Sequence, residues 1–418
     1  MPDTLELGST YGEGDTPGRR QVRLFDLQGN HYEMGYQQGL QMREAVRHYF
    51  ANITRNEYFN RGKPALLPAR LYLSIQAHRA AREMEKDLAD HCPRQKMRME
   101  GISKGSGVDE VMLYVPLAAE TVMAGIDYRI GACTAAAVGE ERSALREVMV
   151  IKNYDYPAAF QPYFMTRLCR SAETYSTVDV TMATMAGCHD GMNEHGLCVS
   201  YNHGYGTDIP SVNVPVSMLV QEALETCADV EEAAELLCSR RRSGGALVLL
   251  ADATGKMLAV ELSPNFCGVR EAEDGILVAT NHYRCREMVS YDVPRNAYYT
   301  NRNVQALRGV RVHESSELRY ARAEQLLSAL ETVTIKDLWS VFSDHGESGR
   351  GDDNTICRHG PYFSTTCSMI MLPRSRRLLV TYGHPCESTF SDFPDPFGAL
   401  AEGGEGEKSA GEGQGSGP

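Results

Sequence analysis

Cys133 sits between small residues in "RIGACTAAAV", Arg129 to Val138, with Thr134 directly after it. Shortly downstream "VIKNYDYP", Val150 to Pro157, carries Lys152, Asn153, Tyr154 and Asp155 at the end of an apolar run. A thiol is a good nucleophile only as thiolate, so it needs a base or a cationic neighbour. A distant His can be that base, but His282, His345, His359 and His384 offer no obvious choice. Cutting the peptide bond before Cys133 supplies another base: the freed α-amine, which ordinarily titrates near pH ~8. Gly131 and Ala132 are small enough to let the thiol fold back onto the preceding carbonyl, as an N-to-S acyl shift requires.

The elements that must position these residues fall into four parts. To about residue 130 the chain reads as mostly helical. "HYEMGYQQGLQMREAVRHYFAN" has apolar residues at helical spacing, and Gly35 and Gly39 would let another element approach closely. "PARLYLSIQAHRAAREMEKDLADH" is a second helix, with Pro68 suited to its first turn, and "GVDEVMLYVPLAAETVMAG" a third, capped by Asp109. After Cys133 the texture is β-rich: "REVMVIKNYDY", "YFMTRLCRS", "TYSTVDVTMATMAG" and "GLCVSYN", with a hairpin in "GALVLLADATGKMLAVELS". One helical stretch, "SMLVQEALETCADVEEAAELLCSR", lies among them, with Asp229 and Glu232 placed to start a fresh turn. Two helices follow, the second capped by Thr334, and then the strands "TTCSMIMLP" and "RRLLVTYGHP". Antiparallel sheet between helices is expected. The tail, 401–418, is Gly, Glu and Ser without a large apolar residue, and disorder is expected there.

Composition excludes several classes. The 418 residues carry a net charge of −13, which argues against nucleic acid or an anionic membrane as partner. The start, "MPDTLELGST", resembles no signal peptide, and a cytoplasmic location is expected. The 12 cysteines are scattered singly, as in "EHGLCVSYN" and "EAAELLCSR", and read as buried reduced thiols. No pair has CxxC spacing, so no metal site is expected, the pairings His189 with His195 and His282 with His359 notwithstanding.

Taken together and in order, "HYEMGYQQG", "ACT" with "KNYDY", "GMNEHGL", "LADATGKMLAVE", "TNHY", "SSELRYARA" and "TYGHP" resemble the isopenicillin N acyltransferase (acyl-coenzyme A:6-aminopenicillanic acid acyltransferase) family. These are cysteine N-terminal-nucleophile (Ntn) hydrolases, similar in turn to choloylglycine hydrolases and penicillin V acylases. The resemblance spans about residues 22 to 390. It implies an α+β fold, an αββα sandwich of two antiparallel sheets between helical layers. It divides the chain into a helical pro-segment at 1–132, a catalytic core at 133–400 and the tail at 401–418. It also implies self-cleavage between Ala132 and Cys133, with the two fragments staying associated.

By the same resemblance Cys133 is the nucleophile, Asp155 holds the α-amine or thiol, and Lys152 stands where the bile-salt-hydrolase branch has Arg. Asn281 is an oxyanion-hole donor and Arg319 orders the site from a later helix. A second donor comes from the end of "GLCVSYNH", Asn202 by one alignment and His203 by a one-residue slip, with Asn202 preferred. The family commonly has Gly where this chain has Ala132, and Ala resists positive φ.

Each residue also has a plainer reading: one more buried thiol for Cys133, a turn cap for Asp155, a solvated strand end for Lys152, a turn residue for Asn281, a helix-surface charge for Arg319. "KNYDY" and "TNHY" downstream tip the balance for Cys133. The expected activity is hydrolysis or transfer of an N-acyl group on a small molecule or peptide through an acyl-Cys133 thioester. No cofactor is expected; acyl-coenzyme A enters only as a co-substrate suggested by the family. Oligomeric state stays open. The alternatives are an uncleaved papain-like hydrolase with a base such as His282, and a non-enzymatic binding protein.

Overall fold

A computed structural model describes residues 21–398 apart from 57, 58, 61, 123–131, 348 and 361. Gly131 and the 401–418 tail therefore lie outside the described residues.

Alternation of side chains is what builds the sandwich. Strand β2 (Ala132–Val138) is wholly buried. Its Cys133, Ala135 and Ala137 face one apolar core, while Ala136 and Val138 face another with Tyr320, Ala323 and Phe342. A strand buried on both faces needs a sheet on one side and helices on the other. β2 lies in a six-stranded sheet between β11 (Ile276–Ala279) and β3 (Met149–Tyr156), followed by β12 (Ser364–Leu372), β13 (Arg377–Tyr382) and β14 (Ser391–Phe393). Its pairings are all antiparallel.

The facing sheet has eight strands in chain order from one edge to the other: β1 (Leu24–Gln28), then β4 (Phe164–Arg170), β5 (Thr177–Met182), β6 (Asp190–Asn193), β7 (Cys198–Gly204), β8 (Gly245–Ala251), β9 (Met257–Leu262) and β10 (Cys267–Glu271). Outer helices complete four layers. α6 (Val216–Thr226) and α7 (Val230–Ser239) cover the larger sheet; α8 (Glu314–Ser328) and α9 (Ile335–Phe342) cover the smaller. The expected αββα arrangement is present.

The N-terminal helices are α1 (His31–Gln41), α2 (Arg43–Ile53), α3 (Ala69–His91), α4 (Pro93–Ser106) and α5 (Glu110–Val122). Gly35 and Gly39 do meet a partner. A Cβ at Gly35 would stand 2.0 Å from the Arg98 carbonyl oxygen, and one at Gly39 would stand 2.4 Å from that of Ile102. α1 and α4 thus touch backbone to backbone.

The structure departs from the sequence reading in several places. β1 precedes the helices and pairs in parallel with β4, so the larger sheet is mixed and the N-terminal part is not purely helical. The first expected helix is two, broken at Met42. Pro68 is the N-cap of α3 rather than a first-turn residue. The thiol reading is corrected at one pair: Cys238 on α7 and Cys267 on β10 form a disulfide, their Cα atoms 5.4 Å apart. That contact depends on α7 packing across the sheet edge, and the 29-residue separation does not announce it. The helix restart at Asp229, whose side chain accepts from Glu232 N, and the cap at Thr334 are as expected; Asp337 completes a capping box there.

Candidate functional site

β11 stops at Ala279, opposite Ala135, so the main chain of Cys133 has lost its strand partner on that side. Buried main-chain groups must find hydrogen bonds elsewhere. Here two side chains continue the ladder. Cys133 N donates to Asn281 Oδ1 at 3.1 Å, and Arg319 Nη1 donates to Cys133 O at 2.5 Å. Arg319 also donates to Thr134 Oγ1 (2.7 Å), to Asn281 Oδ1 (2.8 Å) and to Ser315 Oγ (3.1 Å). It reaches them from α8, where it is fully buried, and not from the helix surface. Asn281 is itself fixed, its N–H donating to Ser316 Oγ at 2.8 Å.

Across the other edge of β2, Ala132 pairs with Asp155 and Cys133 with Tyr154. The Asp155 carboxylate is buried on the helix-facing side. Its Oδ1 accepts from Thr365 Oγ1 at 2.7 Å; Arg358 Nη1 stands 3.9 Å from its Oδ2, which has no hydrogen bond. Burial pushes this carboxyl above its usual range, against the pull of Arg358 and Arg319. Ala132 is in extended strand and takes no positive φ, so the uncut chain does not require glycine there.

Lys152 shares the inner face with Cys133. It is fully buried and donates to Asp190 Oδ1 at 2.9 Å and to the Tyr201 carbonyl. Burial lowers its pKa, but Asp190 and the Cys133 sulfur more than offset that, and the ammonium holds its proton. The Cys133 thiol is pushed up to about 11, chiefly by burial, with Lys152 pulling the other way. In the uncut chain this sulfur is therefore a thiol near neutral pH.

The two amides expected to serve as oxyanion donors are committed. Asn281 Nδ2 donates to His203 O at 2.9 Å and Asn202 Nδ2 to Ala279 O at 2.8 Å, while Asn202 Oδ1 is buried without a hydrogen bond. The His203 ring pairs with the Tyr201 hydroxyl through Nδ1 at 3.1 Å. His282, the base of the papain-like alternative, contacts Ser316 Oγ at 2.8 Å and packs on His313 and Tyr320; burial lowers it to about 3. His189 and His195 face different partners, the Tyr154 hydroxyl and the Tyr175 ring.

A cavity of about 750 Å³ opens between α2, α3, α5 and the end of β3 with the segments after it. Ile53, Phe59, Leu67, Ile75, Val115 and Phe160 make much of its wall apolar, and Arg79, Glu83, Glu120, Tyr156 and His189 are among its polar lining. Cys133 is not in the wall; Tyr156 is two residues along β3 from Tyr154, its cross-strand partner. The cavity was not legible from sequence, because its lining comes from segments far apart in the chain.

Glu120 is a buried carboxyl that accepts from Ser217 N (3.0 Å) and Ser217 Oγ (2.6 Å), yet burial still pushes it up to about 7. Its folded pKa lies above its unfolded one. The folded state therefore binds more protons, and this group's contribution to stability is lost as pH rises from about 4.5 to about 7. Glu120→Gln removes that slope. Urea unfolding at about pH 4.5 and pH 7.5 should show the variant gaining on the parent by on the order of 3 kcal/mol across the interval. A constant difference would mean that Glu120 titrates normally.

Residues 142–385, more than half of the chain, match the family described as acyl-coenzyme A:6-aminopenicillanic acid acyl-transferase. The chain belongs to this family. The match takes in Lys152, Asp155, Asn202, Asn281 and Arg319 and begins just after Cys133. Membership makes the chain an enzyme of acyl transfer. No curated protein matches the sequence.

Among solved structures, the chain is similar to a Caenorhabditis elegans N-acylethanolamine-hydrolyzing acid amidase ortholog: 17% identity, 58% of this chain and 93% of that one, TM-score 0.40. It is also similar to a conjugated bile acid hydrolase of Clostridium perfringens (12% identity, 62% and 96%, TM-score 0.38). A third is penicillin V acylase of Agrobacterium tumefaciens (15% identity, 60% and 82%, TM-score 0.37). Among the described residues no helix is long and apolar enough to cross a membrane.

Proposed function

We propose that the chain is a self-processing cysteine enzyme that hydrolyses or transfers N-acyl groups through an acyl-Cys133 thioester. The observation that carries this reading is the grip on Cys133. Its main-chain N–H and C=O are held by the side chains of Asn281 and Arg319, while a buried Asp155 oxygen without a hydrogen bond waits across the ladder from Ala132. Any buried main chain at this strand end needs partners, but a merely structural thiol has no use for a buried carboxylate oxygen left open across the ladder.

The sulfur first attacks the Ala132 carbonyl carbon. The C–N bond to Cys133 breaks, the nitrogen takes the thiol proton, and a thioester joins Ala132 to Sγ. Water then hydrolyses the thioester, leaving the Ala132 carboxylate and a free thiol. The new α-amine, ordinarily near pKa ~8, is the base that the uncut site lacks. Asp155 Oδ2 accepts a hydrogen bond from it, and Lys152 favours the thiolate.

In turnover the thiolate attacks the substrate amide carbonyl, and the ammonium returns a proton to the leaving amine. Asn281 Nδ2 exchanges the His203 carbonyl for the oxyanion. Water or an acceptor amine then takes the acyl group from sulfur. The cavity lies in the range of small-molecule sites and, being apolar, suits the acyl portion.

Intact-mass measurement with N-terminal sequencing tests this directly. Active protein should consist of co-purifying fragments 1–132 and 133–418, the second beginning at Cys133. An unbroken chain that turns over N-acyl amides would overturn the self-processing mechanism.

A further inference from the structure

We infer that the chain holds a structural zinc ion between His345, Cys357, His359 and Cys386. The ligand atoms of these four side chains lie within 4.8 Å of one another. They come from three separate segments: the exit from α9, the approach to β12, and the turn after β13.

Four of the six ligand separations match the edges of a coordination tetrahedron, and the two from His345 to the sulfurs lie within 4.8 Å. Zinc bonds of about 2.3 Å to sulfur and about 2.0 Å to nitrogen give tetrahedron edges of about 3.8 Å between sulfurs, about 3.5 Å between sulfur and nitrogen, and about 3.3 Å between nitrogens. The observed separations are 3.6 Å from Cys357 Sγ to Cys386 Sγ, 3.5 Å from Cys357 Sγ to His359 Nε2, 3.3 Å from His359 Nε2 to Cys386 Sγ, and 3.2 Å from His345 Nε2 to His359 Nε2. The two sulfurs are too far apart for a disulfide, whose bond is about 2.05 Å. Two imidazole nitrogens and two thiols this close together form a donor set suited to a soft cation.

The surroundings support a closed, structural site. From Ser343 to Phe363 the described residues form neither helix nor strand. A stretch of that length inside a compact fold needs something to hold it. Gly351 packs beside the His359 ring, and a Cβ there would come within 2.2 Å of Cδ2. His384 stacks on His359, with centroids 3.8 Å apart, and is fixed by Ser364 Oγ and Glu387. His359, His384 and Glu387 also cluster, but a set with two sulfurs suits zinc better than one with a carboxylate and no thiolate.

Four protein ligands leave no open position, so the ion's work is to clamp the segment. The clamped Cys357-Arg358-His359 step carries Arg358, which pairs with Asp353 at 3.2 Å and faces Asp155 at 3.9 Å. Metal binding thus fixes a cation beside the carboxylate next to the scissile bond. Each thiol gives up its proton to solvent on binding, and both imidazoles coordinate in the neutral form.

The ligand spacing does not announce the site. A Cys-x-His step with one ligand before it and one well after it is not a recognised zinc spacing, which is why no metal was expected.

The test uses the full chain, purified without an affinity tag or chelator. Elemental analysis should find about one zinc per chain, and cobalt(II) added after zinc removal should give tetrahedral visible bands with thiolate charge transfer. Cys386→Ser, at an exposed position, and His345→Ala should each lower the zinc affinity at least about tenfold. The inference is overturned by parent protein with neither stoichiometric zinc nor the cobalt spectrum, by a double variant that keeps its zinc, or by a native Cys357–Cys386 disulfide. None of these readouts depends on catalysis, so the site stands or falls apart from the proposed reaction.

Discussion

Cys133→Ala should leave the chain unbroken and lower turnover of N-acyl amides by about 10⁴-fold or more. The size of the effect follows from the chemistry: alanine offers no nucleophile, and no other thiol shares the site. Nine of the ten cysteines outside the disulfide are buried at their own positions, and the tenth, Cys386, is exposed on the turn after β13. The fold should tolerate the change. The clamp of Asn281 and Arg319 acts on the main chain of residue 133, which alanine keeps. Removing one sulfur from a packed interior costs about 1 kcal/mol. A melting curve close to the parent's, together with intact mass showing only the full-length chain, would assign the loss to the sulfur. Cys133→Ser retains a nucleophile of lower reactivity and should cleave slowly. A Cys133→Ala protein that is still cut, or still active, would refute the mechanism.

How much of this site the sequence discloses depends on which bond is asked about. β2 and β3 are consecutive strands; "KNYDY" reads directly as the end of a strand, whereas "ACTAAAV", all small residues, carries no strand signal of its own. The register that sets Asp155 opposite Ala132 is a short-range consequence of that hairpin. Arg319 is different. Its helix is legible, but on helical spacing alone it is an exposed charge near Glu317 or Glu324. Only the end of β11 at Ala279 explains its burial, because that leaves Cys133 without a strand partner. Sequence patterns report periodicity, and a side chain that substitutes for a missing strand has none.

Asn281 and Asn202 show a second limit. The residue types suit oxyanion donors, yet each Nδ2 is spent on a main-chain carbonyl in the uncut chain. A buried amide must be satisfied in whichever state it occupies, so residue type gives capacity and not present use. The short strand β1 was hidden for another reason. Five residues ahead of a strong helix cap are too few to establish a period, and their partner, β4, lies far along the chain.

The second large effect belongs to Arg319. Arg319→Met keeps the length and apolar stem but removes the donors to Cys133 O and Thr134 Oγ1 and one of the two donors to Asn281 Oδ1. Leaving such acceptors buried and short of partners should cost about 3–5 kcal/mol, read as a lower urea midpoint. Self-cleavage should slow by about 10³-fold, since both ends of the Cys133 peptide unit lose their alignment. A merely structural loss would stop there. Arg319 also draws the Asp155 carboxyl down against its burial, so its removal should move that group's titration upward. Asp155 must be ionised to hold the new amine, and the acid limb of the turnover profile of the processed enzyme should therefore shift to higher pH. Arg319→Lys restores the charge but not the planar fork. It should bring the acid limb back towards the parent's while recovering only part of the rate. An acid limb unmoved in Arg319→Met would confine Arg319 to holding the backbone.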